Sequence, residues 1–306
     1  MTICQLFLPL SQVRPPLPYI PGLDVSGIIL ESSSSKFKKG DRVMATTTDF
    51  GGTGAMAELC SVPADLVWKV PDKVHLSTCA NIGRNYFAAY HSLKNIGRIG
   101  PKSLILVDGA SGGVGLATIE LAKAMGAKVI AGVSSKDKSS YPKAVGADLV
   151  LCYGRDKASY KAFKDQVKSG AKEMGHKNGV DLVVDVVQGE LFESALVSCV
   201  RPLGTICLVG FTAGQKNIRP GILLVKELNV VGSLWGRWAK ENPEDHRTNV
   251  NEIFSYLGND SITPRVNRVI PLENFADAFE IFEKNQGRGN NVVCFKEDPH
   301  DLRSKL

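Results

Sequence analysis

Between residues 103 and 232, short apolar runs alternate with segments of helical periodicity. Six runs are rich in β-branched residues and apolar on both faces: Ser103–Val107, Lys128–Val133, Asp148–Cys152, Asp181–Val187, Thr205–Val209 and Leu228–Val231. Helical patterns separate them near 114–125, 137–145, 157–175 and 190–199. Strands that are apolar on both faces are typical of a parallel sheet covered by helices. The pattern therefore predicts an α/β fold with a doubly wound parallel sheet of the Rossmann type, joined by right-handed crossovers.

The two flanking regions have a different pattern. Residues 1–90 are rich in Pro, Gly and Ser and contain three short β-like pieces, Val25–Leu30, Asp41–Ala45 and Ala57–Val62. Residues 261–296 contain a strand-like segment, a helix over Glu273–Lys284 and a final strand over Asn291–Phe295. We expect a separate, irregular β domain near the N-terminus, onto which the C-terminal stretch folds back.

A turn of small residues follows the first strand of the predicted sheet. It reads Gly109-Ala-Ser-Gly-Gly-Val-Gly115 and leads into a helical pattern that ends at Gly126, a suitable left-handed cap. Small residues at 110, 112 and 115 allow a tight turn, a close approach of backbone N–H groups to a pyrophosphate, and tight packing of helix on sheet. Since the turn lies between a strand and a helix, the pattern predicts a dinucleotide-binding site rather than a flexible surface turn.

The second strand of the sheet ends at a segment that bears on the choice of nucleotide. A site for NAD usually places Asp or Glu about 20 residues after the turn, on the ribose 2′-hydroxyl. This chain has Ser134-Ser-Lys-Asp-Lys138 there, and a hydroxyl with lysines suits a 2′-phosphate. The segment favours NADPH (NADP). The alternative is that Lys136 and Lys138 are only the solvated start of a helix.

Composition excludes several classes of protein. The 306 residues carry 37 basic and 31 acidic side chains, a net charge of +6 that is spread along the chain. This balance indicates a solvated surface rather than nucleic-acid binding, and it suits an anionic cofactor or an acyl-CoA substrate. No apolar run approaches the ~18 residues that span a bilayer, and the N-terminus does not resemble a secretory signal.

The seven cysteines lack the spacing of a disulfide framework or a zinc site. They are Cys4, Cys60, Cys79, Cys152, Cys199, Cys207 and Cys294, and no two form a C-x-x-C pair. We expect reduced thiols of an intracellular protein and no bound metal.

Seven segments carry a family resemblance. They are Pro18–Gly27, Phe37–Val43, Gly109–Gly115, Tyr86–Tyr90, Val209–Gly214, Leu223–Lys226 and Gly232–Gly236. In order and spacing the chain resembles the zinc-independent medium-chain dehydrogenase/reductases, specifically the quinone oxidoreductase-like subgroup of the quinone oxidoreductase (zeta-crystallin-like) branch. The resemblance implies a Rossmann domain with a partial GroES-like β domain.

The resemblance also implies further nucleotide contacts, which divide into three groups. Ser111, Gly112, Gly113 and Val114 would meet the pyrophosphate. The adenosine ribose phosphate would be met by Ser134, Lys138 and Tyr153. The nicotinamide end would be lined by Gly210, Phe211, Leu234 and Trp235. Ordinary packing is the alternative for Tyr153 and Trp235.

The chain departs from the family pattern at positions that bear on zinc binding and on the catalytic residues. Leu23 stands where zinc-dependent relatives carry a ligating His, and the four-cysteine structural lobe is missing. Relatives begin with several tens of residues of strand and an Asn/Tyr-bearing segment that closes over the nicotinamide. Met1–Ser11 matches that region poorly, with Leu6 and Phe7 about where the family has a tyrosine, and Ala88 stands where relatives often carry Thr. We expect either a longer natural gene product or an incomplete catalytic domain, and we carry over no catalytic residue.

These patterns, together with the resemblance, divide the chain into four expected segments. They are a partial GroES-like domain over 1–88, a Rossmann domain over 89–233, a return to the first domain over 234–296, and a flexible tail over 297–306. The tail ends in Ser304-Lys305-Leu306, which predicts recognition by a peroxisomal import receptor, with a cytoplasmic location as the alternative.

Three functions remain open at this stage. The leading hypothesis is a zinc-independent NADPH:quinone oxidoreductase that passes hydride to a small-molecule quinone or α,β-unsaturated carbonyl (enone). An enoyl-thioester (enoyl-CoA) reductase and a catalytically inactive NADPH-binding or regulatory protein are the alternatives. The resemblance further implies a homodimer that pairs through the edge of the nucleotide-binding sheet.

Overall fold

A computed structural model describes residues 18–47, 54–284 and 288–295. Within this part, the chain forms two compact units. The first unit contains the residues up to Asn85 and those from Pro264 onward, and the second unit is Tyr86–Thr263. Met1–Ser11 and Ser304–Leu306 lie outside the described residues, so the expectations for the N-terminal segment and for peroxisomal import stay predictions.

The second unit is built on a six-stranded sheet. Its strands are β4 (Leu104–Val107), β5 (Lys128–Val133), β6 (Leu149–Cys152), β7 (Val180–Asp185), β8 (Val200–Leu208) and β9 (Asn229–Gly232). They are ordered β6-β5-β4-β7-β8-β9, and every neighbouring pair is parallel. In this order the chain winds outward from β4 in both directions, which confirms the predicted doubly wound sheet.

One strand of this sheet begins earlier than the pattern predicts. We expected a strand from Thr205, but β8 begins at Val200. Pro202 and Gly204 give this stretch the composition of a turn, and the register against β7 shifts between Val180 and Leu182. Leu203 has a φ of 60°, so the extra residues form an irregular extension of the strand.

The second unit contains helices between and after its strands. The principal ones are Gly113–Ala124, Ser140–Ala144, Lys157–Glu173, Pro220–Lys226, Trp235–Glu241 and Pro243–Gly258. Gly113–Ala124 and Lys157–Glu173 lie close to the predicted segments, and the helices of this unit from Pro220 onward were not predicted. The region predicted near 137–145 is a 3₁₀ turn, Lys136–Lys138, followed by the short helix Ser140–Ala144. The segment 189–199 is helical but contains a π-helical stretch, Phe192–Leu196.

The core of the second unit explains why its strands could be located from the sequence. All four residues of β4 are fully buried, because helices pack on both faces of the sheet. The helix Lys157–Glu173 contributes Phe163, Val167 and Ala171 to this core, at the spacing of one helical face. Burial on both faces is what makes these strands continuous apolar runs.

The first unit contains an antiparallel sheet of short strands. They are β1 (Asp24–Ile28), β2 (Arg42–Thr46) and β3 (Val67–Lys69), in that spatial order. The prediction of a strand over Ala57–Val62 was wrong, since that segment has no regular pairing and Leu59 is 72% exposed. The third strand is β3, where Val67 and Trp68 are buried.

The C-terminal part of the first unit is a strand–helix–strand arrangement. The strands β10 (Val266–Pro271) and β11 (Asn290–Cys294) pair in parallel, with the helix Phe275–Glu283 between them. The second unit extends to Thr263, beyond the expected boundary at 233. The extension arises because the helices Trp235–Glu241 and Pro243–Gly258 join an aromatic cluster with Phe87 of the same unit.

Two further observations concern membrane crossing and the cysteines. No helix in the described part of the chain combines the length and apolarity that crossing a membrane requires. Six cysteines lie in the described ranges, and all six are free thiols.

Candidate nucleotide-binding site

The glycine turn ends where a helix begins without a side-chain cap. Gly112 is the N-cap of the helix Gly113–Ala124, and as a glycine it has no side chain that could accept from the first N–H groups. The first-turn N–H groups of a helix have no partner inside the helix, and they lie at the positive end of its dipole. Gly113, Val114 and Gly115 therefore present donors suited to an anion.

Close approach of the backbone requires small residues in this turn. A Cβ on Gly115 would lie 2.5 Å from the Gly109 carbonyl oxygen and 2.7 Å from the Ala110 Cα. Gly109 has a φ of +55°, in the left-handed region that favours glycine. The Ala110 N–H donates to the Gly132 carbonyl at 3.0 Å, which fixes the turn to the end of β5. Ser111 is 7% exposed, so the turn is held tightly against the sheet.

The structure brings together the three residues assigned to the adenosine ribose phosphate. The Lys138 Nζ donates to the Ser134 Oγ at 3.4 Å, across the 3₁₀ turn that follows β5. The Tyr153 hydroxyl hydrogen-bonds the same Ser134 side chain. Ser134, Lys138 and Tyr153, hereafter the adenosine-end cluster, come from the ends of two neighbouring strands.

Tyr153 is fixed by packing as well as by its hydroxyl. Its ring meets that of Phe163 edge to face, with 5.7 Å between centroids, and its backbone N–H donates to the Val133 carbonyl at 3.0 Å. Burial raises the pKa of Tyr153 well above its usual value, and the nearby Asp108 adds to the shift. The phenol is therefore neutral at physiological pH and can donate a hydrogen bond to an anion.

Gly210 and Phe211 lie in the loop that follows β8. A Cβ on Gly210 would lie 2.8 Å from the Val186 carbonyl oxygen, so this position also needs the smallest residue. The Phe211 carbonyl accepts the Gly214 N–H at 3.0 Å and closes a tight turn. The loop therefore has a fixed backbone at the carboxyl end of the sheet.

Leu234 and Trp235 follow β9 and have different environments. Leu234 is 68% exposed and is accessible to a ligand. Trp235 is buried, with its ring 5.5 Å from Phe87 and 5.4 Å from His246, centroid to centroid. Trp235 thus packs inside its own unit, whereas Leu234 presents its side chain outward.

His246 has a neutral imidazole in this aromatic cluster. Burial lowers its pKa to about 4, and the charges of Arg247 and His91 act in the same direction. The Phe87 ring and the imidazole form a T-shaped pair, with 5.2 Å between their centroids. Its role is therefore packing of a neutral ring.

Two buried aspartates were not assigned a role from the sequence. Asp108 follows β4 and Asp185 ends β7, and both side chains are fully buried. The Oδ2 atom of each has no hydrogen-bond partner among the described residues, and burial raises the pKa of both carboxyl groups. Their positions in the sequence could have pointed to a role in the site, because each stands at the carboxyl end of a predicted strand, where ligand crevices of open α/β sheets form.

Within residues 18–47, 54–284 and 288–295, no three or more His, Cys, Asp or Glu side chains lie close enough to hold a metal ion. Leu23 lies just before β1, where its carbonyl accepts the Thr47 N–H at 2.8 Å.

Known families match most of the chain. The "Alcohol dehydrogenase GroES-like domain" family matches residues 3–72, and the "Zinc-binding dehydrogenase" family matches residues 113–253. A quinone oxidoreductase-like protein 2 homolog from Nematostella vectensis is 32% identical over 291 residues, which cover 94% of this chain and 76% of the relative. Human quinone oxidoreductase is 29% identical over 282 residues, which cover 92% of this chain and 80% of that protein.

Solved structures match over a similar span. A mycobacterial protein solved in complex with NADPH has a TM-score of 0.82 at 26% identity, and the match covers 96% of this chain and 88% of that one. Escherichia coli quinone oxidoreductase, also complexed with NADPH, has a TM-score of 0.77 at 25% identity, with 95% and 85% covered. The fold is that of the medium-chain dehydrogenase/reductases. Within them, this chain belongs to the quinone oxidoreductase branch.

Proposed function

We propose that this chain is an NADPH-dependent oxidoreductase that passes hydride to a quinone or another α,β-unsaturated carbonyl without zinc. The observation that carries the proposal is the adenosine-end cluster of Ser134, Lys138 and Tyr153, which stands beside an anion-binding turn. Both features lie at the carboxyl edge of one parallel sheet, where nucleotides bind in doubly wound folds.

The residues of the turn fit a dinucleotide diphosphate. The space that Cβ atoms on Gly112 and Gly115 would fill is bounded by the Gly109 carbonyl, at 3.3 and 2.5 Å respectively. The glycines therefore let the turn fold tightly onto the start of the helix, whose first N–H groups can then bind the diphosphate. Ser111 through Val114 would hold the pyrophosphate.

The adenosine-end cluster fits a 2′-phosphate better than a ribose hydroxyl. Its functional groups are an ammonium, an aliphatic hydroxyl and a neutral phenol, all of which donate hydrogen bonds. A phosphate at neutral pH carries up to two negative charges and only accepts. The match in charge and in donor direction favours NADPH over NADH.

When it is bound, the nicotinamide supplies the hydride, and the chain supplies binding and orientation. The loop with Gly210 and Phe211, together with the exposed Leu234, would line the nicotinamide end, and Trp235 would support Leu234 by packing. Reduction of a quinone to a hydroquinone consumes one NADPH and one proton and yields NADP⁺. Because hydride transfer to an electron-poor acceptor needs little acid–base chemistry, positioning provides most of the rate enhancement.

The test is NADPH oxidation with two substrate panels, alongside direct measurement of NADPH binding. Turnover of quinones and enones supports the proposal, and turnover confined to enoyl-CoA thioesters would assign the chain as an enoyl-thioester reductase. Tight NADPH binding without turnover of either panel would indicate an NADPH-binding or regulatory protein. Absence of NADPH binding would refute all three assignments.

Zinc independence forms part of the proposal and has its own test. It is supported by the apolar side chain of Leu23 and by the lack of a group of three metal-ligating side chains in the described ranges. We expect less than one zinc ion per ten chains by elemental analysis, and turnover that is unchanged by a chelator. Stoichiometric zinc, with activity that is lost on chelation, would contradict it.

We also propose that two copies pair through the edge strand β9. This edge is apolar: Val231 is 39% exposed, and in the helix Pro220–Lys226 Leu224 and Val225 are 80% and 82% exposed. An exposed strand edge with apolar neighbours is suited to pairing with another strand. Light scattering should give twice the chain mass for the wild type and the single-chain mass for Val225→Asp, and a monomeric wild type would refute the pairing.

A further inference from the structure

Asp108 and Asp185 are placed side by side by the register of the sheet. β4 and β7 are parallel neighbours, with Val107 opposite Val184, so the next residue of each strand is an aspartate. The Asp108 N–H donates to the Val184 carbonyl at 3.3 Å, and both side chains are fully buried. Two buried carboxyl groups thus stand next to each other at the start of the glycine turn, and the Oδ2 atom of each has no hydrogen-bond partner among the described residues.

A proton held between the two carboxyl groups would give both of these Oδ2 atoms a hydrogen bond. An ionised carboxylate has no donor, so two carboxyl groups can hydrogen-bond only when one of them is protonated. The Asp185 Oδ1 accepts the Val187 and Gln188 N–H groups, at 3.2 and 2.7 Å, which stabilise a negative charge on Asp185. A proton shared by the pair would therefore reside on Asp108, whose Oδ1 accepts the Val186 N–H at 2.6 Å.

The pair connects three loops of the nucleotide site. Asp108 begins the glycine turn, and its side chain binds the loop after β7 at Val186. Asp185 binds the same loop, and its backbone carbonyl accepts the Val209 and Gly210 N–H groups, at 2.8 and 3.3 Å, from the loop after β8. The glycine turn carries the residues that we assign to the pyrophosphate, and the loop after β8 carries those that we assign to the nicotinamide end. The loop after β7 contacts both.

The loop after β7 is backbone-strained, so it needs such support. Gln188 has a φ of 54°, in the region that favours glycine, and its N–H donates to the Asp185 carboxylate. The Ala213 N–H donates to the Val187 carbonyl at 2.9 Å, which couples this loop to the one that contains Gly210. Loss of the carboxyl pair would release the strain by moving both loops.

We propose that Asp108 and Asp185 share one proton as a positioning pair for the nucleotide site, and that its loss at alkaline pH weakens NADPH binding. The proposal rests on the proposed function for its binding readout, whereas the shared proton itself can be tested without nucleotide. Neither aspartate contacts the nucleotide in this account. They act by holding the three loops in place.

The electrostatic surroundings support retention of the proton at neutral pH. Burial raises the pKa of Asp108 well above its usual range, and the charge of Asp185 adds to the shift. Two other titratable side chains face the pair: Tyr153 from the end of β6 interacts with Asp108, and Cys207 from β8 interacts with Asp185. Burial raises the pKa of both, that of Cys207 to about 11, so both are neutral and neither offers a compensating positive charge.

The direction of the pH effect follows from linkage. The folded chain keeps the Asp108 proton at pH values where an unfolded aspartate, with a reference pKa of 3.8, has released it. The folded state then binds more protons than the unfolded state, so this group's contribution to stability falls as pH rises from about 4 through the folded pKa. A neutral amide at position 108 would keep the hydrogen bond at every pH.

The experiment compares wild type with Asp108→Asn, Asp108→Ala and the exposed control Asp165→Asn between pH 7.5 and 9, where an ordinary lysine ammonium keeps nearly all of its protons. In this range a 2′-phosphate, with a second pKa of about 6, is fully ionised, so the ligand does not titrate. We expect the wild-type Kd for NADPH to rise at least fivefold across the range, and the Kd of Asp108→Asn to stay level. Asp108→Ala should bind about tenfold more weakly than Asp108→Asn at pH 7.5, whereas Asp165→Asn should follow the wild type.

Two measurements without nucleotide separate this proposal from the proposed function. The melting temperature of Asp108→Asn minus that of the wild type should increase with pH, and infrared spectra of the wild type at pH 8 should show a protonated carboxyl band that Asp108→Asn lacks. If Asp108→Asn does not fold, the presence or absence of the protonated carboxyl band in the wild type shows whether the pair holds a proton at pH 8. Parallel pH profiles for the two proteins, or no protonated carboxyl at pH 8, would overturn the shared proton even if NADPH binds tightly.

Discussion

The nucleotide site is built from backbone groups at its diphosphate end and from side chains at its adenosine end. At the diphosphate end, the glycine turn acts through its backbone, and a Cβ on Gly115 would lie 2.5 Å from a carbonyl oxygen. At the adenosine end, the cluster acts through side chains, one of which is a flexible lysine with a 3.4 Å hydrogen bond. The turn therefore depends on having enough space for its backbone, and the cluster depends on the charge and hydrogen-bond donors of its side chains.

This difference separates affinity for any dinucleotide from preference among dinucleotides. The diphosphate is common to NADH and NADPH, so a defect in the turn should weaken both. The 2′-phosphate belongs only to NADPH, so a defect in the adenosine-end cluster should weaken NADPH alone. The substitutions below test that separation.

Gly115→Ala should have the largest effect. The added methyl group meets backbone atoms that cannot rotate away, so we expect a loss of about 1–3 kcal/mol in the free energy of unfolding. The Kd values for NADPH and NADH should both rise by at least about tenfold, or ~1.4 kcal/mol. Thermal unfolding and nucleotide fluorescence would measure the two effects.

The matched control is Gly258→Ala, at the end of the helix Pro243–Gly258. A Cβ there meets nothing within 4 Å, so the same change should be neutral or slightly stabilising. If Gly115→Ala selectively weakened NADPH, the turn would not be the shared diphosphate site.

Lys138→Glu should come next and should affect only NADPH. It replaces a charge-assisted hydrogen bond with repulsion, so we expect the Kd for NADPH to rise about 100-fold, or ~2.7 kcal/mol. The Kd for NADH should stay within about threefold of wild type. The control Lys136→Glu makes the same charge change at an exposed position in the same 3₁₀ turn. Equal losses for the two nucleotides, or equal effects of the two variants, would count against the 2′-phosphate assignment.

Ser134→Ala should have an intermediate effect. Ser134 joins Lys138 to Tyr153, and loss of one neutral hydrogen bond corresponds to about 1 kcal/mol, or roughly a fivefold rise in the Kd for NADPH. Binding of NADH should be unchanged in titration calorimetry. Ser169→Ala, an exposed serine in the helix Lys157–Glu173, should change neither. No change for NADPH in Ser134→Ala would remove the central residue from the cluster.

Tyr153→Phe should have the smallest effect. The ring keeps its edge-to-face contact with Phe163, so stability should change by less than about 1 kcal/mol. Loss of the hydroxyl should raise the Kd for NADPH by about twofold to threefold, below the effect of Ser134→Ala. A larger effect than that of Lys138→Glu would mean that the phenol, rather than the ammonium, dominates phosphate recognition.

Predictability from sequence differed between the two units. In the second unit the bounds of β5 were predicted correctly, because its residues are apolar on both faces and the strand is bounded by Gly126 and Ser134. In the first unit the strand expected at Ala57–Val62 is absent and β3 was missed. Short strands of a small sheet contain too few buried positions for alternation to distinguish them from an extended loop.

Within the site, the sequence alone determined the position of the glycine turn and proposed Ser134 and Lys138, because local order and spacing encode both, and the family resemblance added Tyr153. Only the tertiary structure decided that these three side chains meet, because Ser134 and Tyr153 follow different strands and are 19 positions apart in the sequence. It also decided that Trp235 packs inside its unit, and that Asp108 and Asp185, 77 positions apart, are buried side by side. Contacts between distant parts of a chain depend on sheet order and register, which no local pattern records.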